Sequence, residues 1–198
     1  MKFPVLPAVA LACALPLSAC VVAAVGGAGA VGYGVAEERG FEGAVDDTKI
    51  KTDITTAYID KGFTLFHEVQ ITVTEGRVVL TGSVDLPETR VDAVQLAWQT
   101  AGVRQVLDEL QVNEESGFGS GVKDAWIANK LRTQLMFNND VKNINYTIDV
   151  VNGTVYLMGI AQDQPELDRV VALARDTSDV RKVVNHVMLK TDPRRNSQ

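Results

Sequence analysis

Cysteine and histidine are scarce in this sequence, which contains two of each among 198 residues. Cys13 lies in a leading apolar segment that we expect to be removed, so Cys20 is the one thiol of the mature chain. A disulfide within that chain and a thiolate metal site are therefore excluded. His67 and His186 lack a His or Glu neighbour at metal-ligand spacing, and we interpret them as surface or turn residues.

Basic residues are also few, with 19 Lys and Arg against 25 Asp and Glu and a net charge of −6. Loss of Lys2 with the leading segment makes the net charge of the mature chain −7. This charge argues against nucleic acid as a partner, because the neutralisation of phosphate groups needs clustered cations. The acidity is uneven. Residues 46–112 hold 11 acidic and 6 basic side chains, whereas residues 123–189 hold 8 of each. Only the second segment can approach an anionic surface without net repulsion.

Catalytic motifs are missing as well. Ser120 lies between two glycines but lacks the flanking pattern of a nucleophile elbow. The glycines at 117, 119 and 121 resemble a phosphate-cradling loop, yet no Gly-Lys-Ser/Thr follows. We interpret this stretch as a linker and the carboxylates as solvated surface. An enzyme ranks last among the function classes, and no cofactor or metal is expected.

The longest apolar run lies at the N-terminus, from Phe3 to Leu15, and is too short to span a membrane. It precedes Leu17-Ser18-Ala19-Cys20, which resembles the bacterial lipobox, where the cysteine becomes the acylated N-terminal residue. The alternative is an ordinary cleavable signal with an incidental cysteine. Val21 is not the aspartate that marks inner-membrane retention, so we expect the outer membrane. The glycine-rich tract at 21–35 suits a flexible tether, with a packed oligomerisation helix as the alternative.

The second half of the chain repeats the first at a fixed offset of 77 residues. Apolar positions and turn glycines recur: Ile71/Ile148, Gly76/Gly153, Val78/Val155, Leu80/Leu157 and Gly82/Gly159. Within each copy the periodicity predicts helix, hairpin, helix and strand. Asn152-Gly153 is a strong signal for a type I′ hairpin turn. The fold class is therefore α+β, with two tandem α-β-β-α-β domains, each a small three-stranded sheet packed by two helices.

The runs Val78-Val79-Leu80-Thr81-Gly82 and Gly153-Thr154-Val155-Tyr156-Leu157-Met158-Gly159, in this arrangement, resemble the BON domain family. The resemblance implies a non-enzymatic lipoprotein that binds anionic phospholipid and supports outer-membrane integrity. Gly82 and Gly159 are expected at equivalent strand ends, where added bulk would damage a close backbone approach. The expected organisation is a signal peptide (1–19), the lipidated Cys20 with its tether (20–45), a first BON domain (46–112), a linker (113–121), a second BON domain (122–190) and a tail (191–198).

The first helix of the second copy, about residues 123–137, carries the candidate site. Ile127, Leu131 and Leu135 recur four apart and are predicted to form its core stripe. Eleven residues return a helix to about 20° from its start, so Trp126 and Phe137 lie on one line. The same positions in the first copy are Lys49 and Asp60. The candidate phospholipid-binding residues on this face are Lys123, Trp126, Lys130, Thr133, Met136 and Phe137.

Two interpretations of this aromatic line remain open. It can insert into a lipid interface, with rings at the headgroup boundary and cations on phosphates, or it can pack against the first copy. As a functional alternative, the same face can bind an envelope assembly protein. The sequence leaves open which anionic lipid or protein is bound.

Overall fold

The computed structural model describes residues 37–38, 40–112 and 118–196. The predicted signal peptide, Cys20 and most of the tether therefore lie outside the described residues. In the first domain the elements are α1 (Gly40–Lys61), α2 (Phe63–Glu68), β1 (Val69–Thr74), β2 (Arg77–Val84), α3 (Pro87–Gln99) and β3 (Gln105–Val112). In the second domain they are α4 (Phe118–Met136), a 3₁₀ turn (Asn143–Asn145), β4 (Tyr146–Val151), β5 (Thr154–Ala161), α5 (Gln164–Asp176), β6 (Lys182–Asn185), β7 (Met188–Leu189) and a 3₁₀ turn (Pro193–Asn196).

Each domain forms one small sheet with the same topology. The hairpin strands pair antiparallel, β1 with β2 and β4 with β5, and the last strand returns parallel to the middle one. The helices cover one face of each sheet, so the predicted α+β class with two α-β-β-α-β units is confirmed. The final strand of the second domain is interrupted after β6, where the Asn185 side chain accepts a hydrogen bond from the Val187 amide (2.9 Å). Pairing with β5 resumes at β7.

Each domain has a core between its helices and its sheet, which we call the helix-side core. These cores contain the apolar positions that repeat in the sequence. In the first domain Ile54 and Tyr58 of α1 are fully buried against the sheet, and the Tyr58 hydroxyl donates to the Ala93 carbonyl (2.9 Å). Ile127, Leu131 and Leu135 occupy the corresponding face of α4. Trp98 of α3 does not belong to the core of the first domain. Its side chain is half exposed, because Ala93 and Ala97 already fill the contact with the sheet.

Two buried aspartates, one in each domain, hold the hairpin turns. Both turns have positive φ at their two central residues, as the type I′ geometry requires. The Asp47 carboxylate accepts hydrogen bonds from the amides of Glu75 and Gly76 (2.8 and 2.9 Å). Asp124, at the repeat position, accepts from Asn152 and Gly153 (2.7 and 2.8 Å). Our interpretation of the carboxylates as solvated surface was therefore wrong for these two.

Gly82 and Gly159 lie at equivalent positions in β2 and β5, two residues before each strand ends. Their φ angles are +135° and +139°, which side-chain-bearing residues rarely adopt. A Cβ at either glycine would collide with a backbone carbonyl, that of Glu68 or that of Asn145. The glycines allow the residue preceding β1 or β4 to approach the middle strand closely.

The two sheets pack face to face on the sides that the helices leave uncovered. β2 contacts β4 and β1 contacts β5, which are equivalent pairings under exchange of the domains. Side chains from the middle strands and β7 fill this interface and belong to neither helix-side core; they are Val79, Thr81, Tyr156, Met158, Ile160 and Met188. The order of layers is thus helices, sheet, sheet, helices.

Polar pairs across this interface join residues that are equivalent in the repeat. The Thr72 hydroxyl donates to the Asp149 carboxylate (3.0 Å), and His186 Nε2 lies 2.8 Å from Glu109 Oε1. Both pairs are separated by 77 residues, so the domains are related by an approximate two-fold axis. The interpretation of His186 as a surface or turn residue was wrong, since its side chain is only 16% exposed.

Glu38 lies just before α1 of the first domain in the sequence, but its side chain binds the second domain. Its carboxylate lies between the ammonium groups of Lys142 (2.8 Å) and Lys190 (2.9 Å). Its amide donates to the Asn145 side chain (3.0 Å). Hydrogen bonds from the two lysines lower the pKa of Glu38 to about 2. Its charged form therefore strengthens the contact between the domains.

Gly159→Ala should destabilise the second domain by at least about 2 kcal/mol, because it combines an unfavourable φ with a collision against backbone. Thermal unfolding followed by circular dichroism measures the effect. Gly121→Ala is the matched control, since a Cβ there meets nothing within 4 Å and alanine favours the helix. Equal unfolding midpoints for the two variants would contradict the close-approach explanation.

The stabilisation by Glu38 should depend on pH. The folded-state pKa lies below the ordinary value of 4.5, so the contribution is complete above that value and is lost as the pH falls towards 2. Wild type should therefore unfold at a higher temperature than Glu38→Gln at pH 7, and this difference should shrink as the pH falls below 4.5. Asp60→Asn, which changes an exposed carboxylate of α1, should not reproduce the pattern. A difference that stays constant with pH would rule out the ion pairs as its cause.

Candidate functional site

The candidate site is the outward surface of α4. The inward side of this helix is fixed by Ile127, Leu131 and Leu135, which are at most 2% exposed. Because the second sheet faces the first domain on its other side, α4 lies on the outside of the molecule. The side chains on the opposite side of the helix therefore point away from the first domain.

An aromatic stripe runs along this outward surface and consists of Val122, Trp126, Lys130, Thr133 and Phe137. Trp126 is 49% exposed, Phe137 78% and Val122 76%. Met136, 62% exposed, flanks the stripe at its C-terminal end. Packing of the two rings against the first copy, one of the two interpretations left open by the sequence, is therefore wrong.

Val122 was not among the residues predicted from the sequence for this face. Its spacing of four from Trp126 is the signal that places it on the same line. With Val122 the stripe gains an apolar residue at its N-terminal end. The exposed apolar surface therefore extends along most of α4.

Lys130 and Trp126 form a cation–π contact at the centre of the stripe. The Lys130 ammonium lies 4.8 Å from the Trp126 ring centroid and donates to the Ser178 hydroxyl (3.0 Å). These contacts hold a positive charge beside a half-exposed ring. The Thr133 hydroxyl bonds back to the Asn129 carbonyl (2.8 Å), so its methyl group contributes apolar surface.

Two further cations near α4 are engaged by protein groups. Lys123 forms an ion pair with Asp179 (2.7 Å) at the edge of the stripe. Arg132 donates to the Ile148 carbonyl (2.7 Å) and is directed towards β4. Of the three, Lys130 is therefore the cation that belongs to the stripe itself.

The equivalent surface of the first domain keeps apolar residues near its ends, but its centre is charged and Asp60 replaces Phe137. Val45 and Ile59 correspond to Val122 and Met136, and both are about half exposed. Between them Lys49 and Asp53 form an ion pair (2.7 Å) where the second domain has Trp126 and Lys130. The repeat thus supplies a matched surface that lacks the aromatic centre.

The first domain exposes aromatic residues elsewhere. Phe63 and Phe66 on α2 are 76% and 47% exposed, and Phe63 stacks on His67 with ring centroids 5.5 Å apart. The sequence analysis did not predict α2, whose six residues are too few for a helical period to stand out. His67 is exposed as predicted.

Glu38, at the start of the described chain, binds to the loop that follows α4. Lys142, which binds Glu38, follows Phe137 by five residues in the loop after α4. The start of the described chain is therefore held at this loop.

No helix among the described residues combines the length and the apolar character needed to cross a bilayer. Likewise, within residues 40–112 and 118–196 no three His, Cys, Asp or Glu side chains converge as a set of metal ligands. The outward surface of α4 instead offers exposed apolar side chains and the cation of Lys130.

Several known proteins are similar to this chain, among them the following three. The outer membrane lipoprotein DolP of Haemophilus influenzae is 28% identical over 180 residues, which cover 89% of this chain and 92% of the relative. The "uncharacterized protein in gshII 5'region" of Anaplasma centrale is 35% identical over 74% of this chain and 96% of its own length. The 21 kDa hemolysin of Actinobacillus pleuropneumoniae is 29% identical over 71% of this chain and 72% of its own.

The family model of the BON domain matches the chain twice, at residues 46–114 and 123–191. Both matches fall on the α-β-β-α-β units that the structure shows. The chain therefore belongs to the BON domain family, with two copies of the domain in tandem.

Proposed function

We propose that this protein is a lipid-anchored component of the outer membrane, on its periplasmic face, and that it binds anionic phospholipid through the aromatic stripe of its second BON domain. The observation that carries the proposal is the exposure of Val122, Trp126 and Phe137 on one helix face, with Lys130 held among them. Exposed aromatic residues beside a cation suit the headgroup boundary of a bilayer. The role is one of binding, without catalysis.

Charge supports the choice of the second domain. Its 8 acidic and 8 basic residues at 123–189 give no net repulsion from an anionic surface, whereas the first domain carries an excess of acid. Burial of an exposed large side chain contributes about 1.5–3 kcal/mol at most. A stripe with two aromatic rings therefore provides binding of moderate strength, which suits a second contact beside a lipid anchor.

The outer-membrane location is supported by the relative from H. influenzae, which is by name an outer membrane lipoprotein, and by the lipobox at Cys20. Glu38 lies eighteen positions after Cys20, and a chain of that length spans at most about 65 Å. An acylated Cys20 would keep the second domain within that distance of the membrane surface.

Acylation of Cys20 can be tested directly. Cys20→Ala should abolish the incorporation of labelled palmitate and leave unprocessed or soluble protein, since the lipobox supplies the mature chain's one thiol. Mass spectrometry of the wild-type N-terminus should show a cysteine with attached acyl chains. An unmodified N-terminus in wild-type protein would contradict the lipoprotein assignment.

Lipid binding can be tested by flotation of residues 36–198 with vesicles of phosphatidylglycerol or cardiolipin, in which no acyl anchor contributes. Trp126→Ala should weaken the vesicle affinity about tenfold with little change in thermal unfolding, because the ring is half exposed. Met136→Glu should act in the same direction. High salt should reduce binding without abolishing it, since the contact of buried apolar surface is not screened.

The repeat provides matched controls for this experiment. Lys49→Ala and Ile59→Glu change the equivalent positions of α1 and should leave vesicle binding nearly unchanged. Equal losses from the two domains would contradict a site confined to α4. No flotation with either anionic lipid would favour the alternative, an envelope protein docked on the same stripe.

A further inference from the structure

The first domain carries a second exposed apolar surface, the α2 patch, which consists of Phe63, Phe66 and Leu86. Phe63 is largely exposed, and Phe66 and Leu86 are about half exposed. All three lie at one end of the sheet, because α2 leads into β1, the first residue of β1 pairs near the end of β2, and α3 begins three residues after β2 ends. Burial raises the pKa of Glu68 at the end of α2, and the nearby charge of Asp85 raises it further. The end of α2 and the segment that leads into α3 are therefore neighbours.

The second domain has polar side chains where the first domain has this patch. The residues that stand in place of Phe63, Phe66 and Leu86 are Asp140, Asn143 and Asp163. Both domains nevertheless form the same hairpin with the same strand pairing, so the fold does not require the three apolar side chains. Clustered exposed apolar residues that the fold does not require are typical of a surface that contacts another molecule.

Carboxylates without ion pairs flank the patch in the sequence. Asp60 precedes Phe63 by three residues. Asp85 and Glu88 lie on either side of Leu86. All three carboxylates are exposed, and none forms an ion pair with another residue that the structure describes. They are therefore available to cations of another molecule.

The cations of the same two segments, residues 60–68 and 85–92, are already engaged. Lys61 is paired with Asp92 (3.0 Å), and Arg90 is paired with a carboxylate of β3 (2.7 Å). The two segments hold five carboxylates and two cations, which gives a net charge of −3 with histidine counted as neutral. The patch is therefore an apolar surface in negatively charged surroundings.

We propose that the α2 patch binds a basic amphipathic segment of another protein. Apolar side chains of that segment would cover the two rings and the leucine, and its Lys or Arg side chains would meet the carboxylates of Asp60, Asp85 and Glu88. Opposite charges across a contact select a partner, and like charges oppose it. An anionic membrane or a second copy of the patch would therefore be repelled. The inference concerns the first domain and does not depend on the proposed function.

The test uses a fluorescein-labelled synthetic peptide that contains only Leu and Lys, spaced as in an amphipathic helix, and a matched peptide with Glu in place of Lys. Fluorescence anisotropy measures the affinity of each peptide for the purified 198-residue chain. The Leu/Glu peptide should bind at least about tenfold more weakly than the Leu/Lys peptide, because the carboxylates around the patch repel it. Equal affinities, or no binding of the Leu/Lys peptide, would overturn the proposal.

Substitutions locate this binding. Phe63→Ser should weaken the affinity for the Leu/Lys peptide about tenfold, and the circular dichroism spectrum should stay unchanged because the ring is exposed. Trp126→Ala, which removes an exposed ring from the second domain, is the control and should leave the affinity unchanged. The double variant Asp85→Lys, Glu88→Lys should remove the preference for the Leu/Lys peptide, and it gives a result even where Phe63→Ser impairs folding. Equal losses from Phe63→Ser and Trp126→Ala would place the peptide elsewhere and contradict the proposal.

Two further measurements address the other occupants. In analytical ultracentrifugation the wild type and Phe63→Ser should sediment alike, whereas a dimer that Phe63→Ser dissociates would assign the patch to a second copy of the chain. Flotation with phosphatidylglycerol vesicles should be the same for the wild type and Phe63→Ser, whereas a loss would assign the patch to the membrane. Either of these assignments would overturn the proposal.

Discussion

The face-to-face burial of the two sheets is the contact on which the rest of the structure depends. Each domain covers one face of its sheet with its own helices, and the other face carries apolar side chains such as Val79, Met158 and Ile160. A domain of about 70 residues has a small core, so an uncovered apolar sheet face would be costly in water. Because the sheets cover each other, the helices become the outer layers. That arrangement presents α4 and its aromatic side chains to the surroundings.

The fold was largely predictable from the sequence, whereas the contacts between the domains were not. Periodicity and turn glycines identified the hairpins and the core stripe of α4, because these depend on local order along the chain. The pairs Thr72–Asp149 and Glu109–His186 depend on how the sheets pack, and no local pattern shows this. The same holds for Asp47 and Asp124, which look like surface carboxylates until the turn amides that they bind are placed beside them.

The two domains show how one fold supports different surfaces. Along α1 the pair of Lys49 and Asp53 neutralises the centre of the outward face, and along α4 Trp126 and Lys130 occupy the same positions. Neither pair touches the core stripe, so the surface can change without loss of the fold. This explains why the candidate stripe could be found in the sequence: it stands out as a difference between copies whose buried positions agree.

The approximate two-fold axis between the sheets also restricts which domains can associate. A symmetric pair of second domains would bring Asp149 against Asp149, and a symmetric pair of first domains would bring Glu109 against Glu109. Like charges at these partly buried positions oppose such pairing, whereas the mixed pair joins threonine to aspartate and histidine to glutamate. When molecules of this protein crowd together, each domain is thus better matched to its covalent partner than to a second copy of itself.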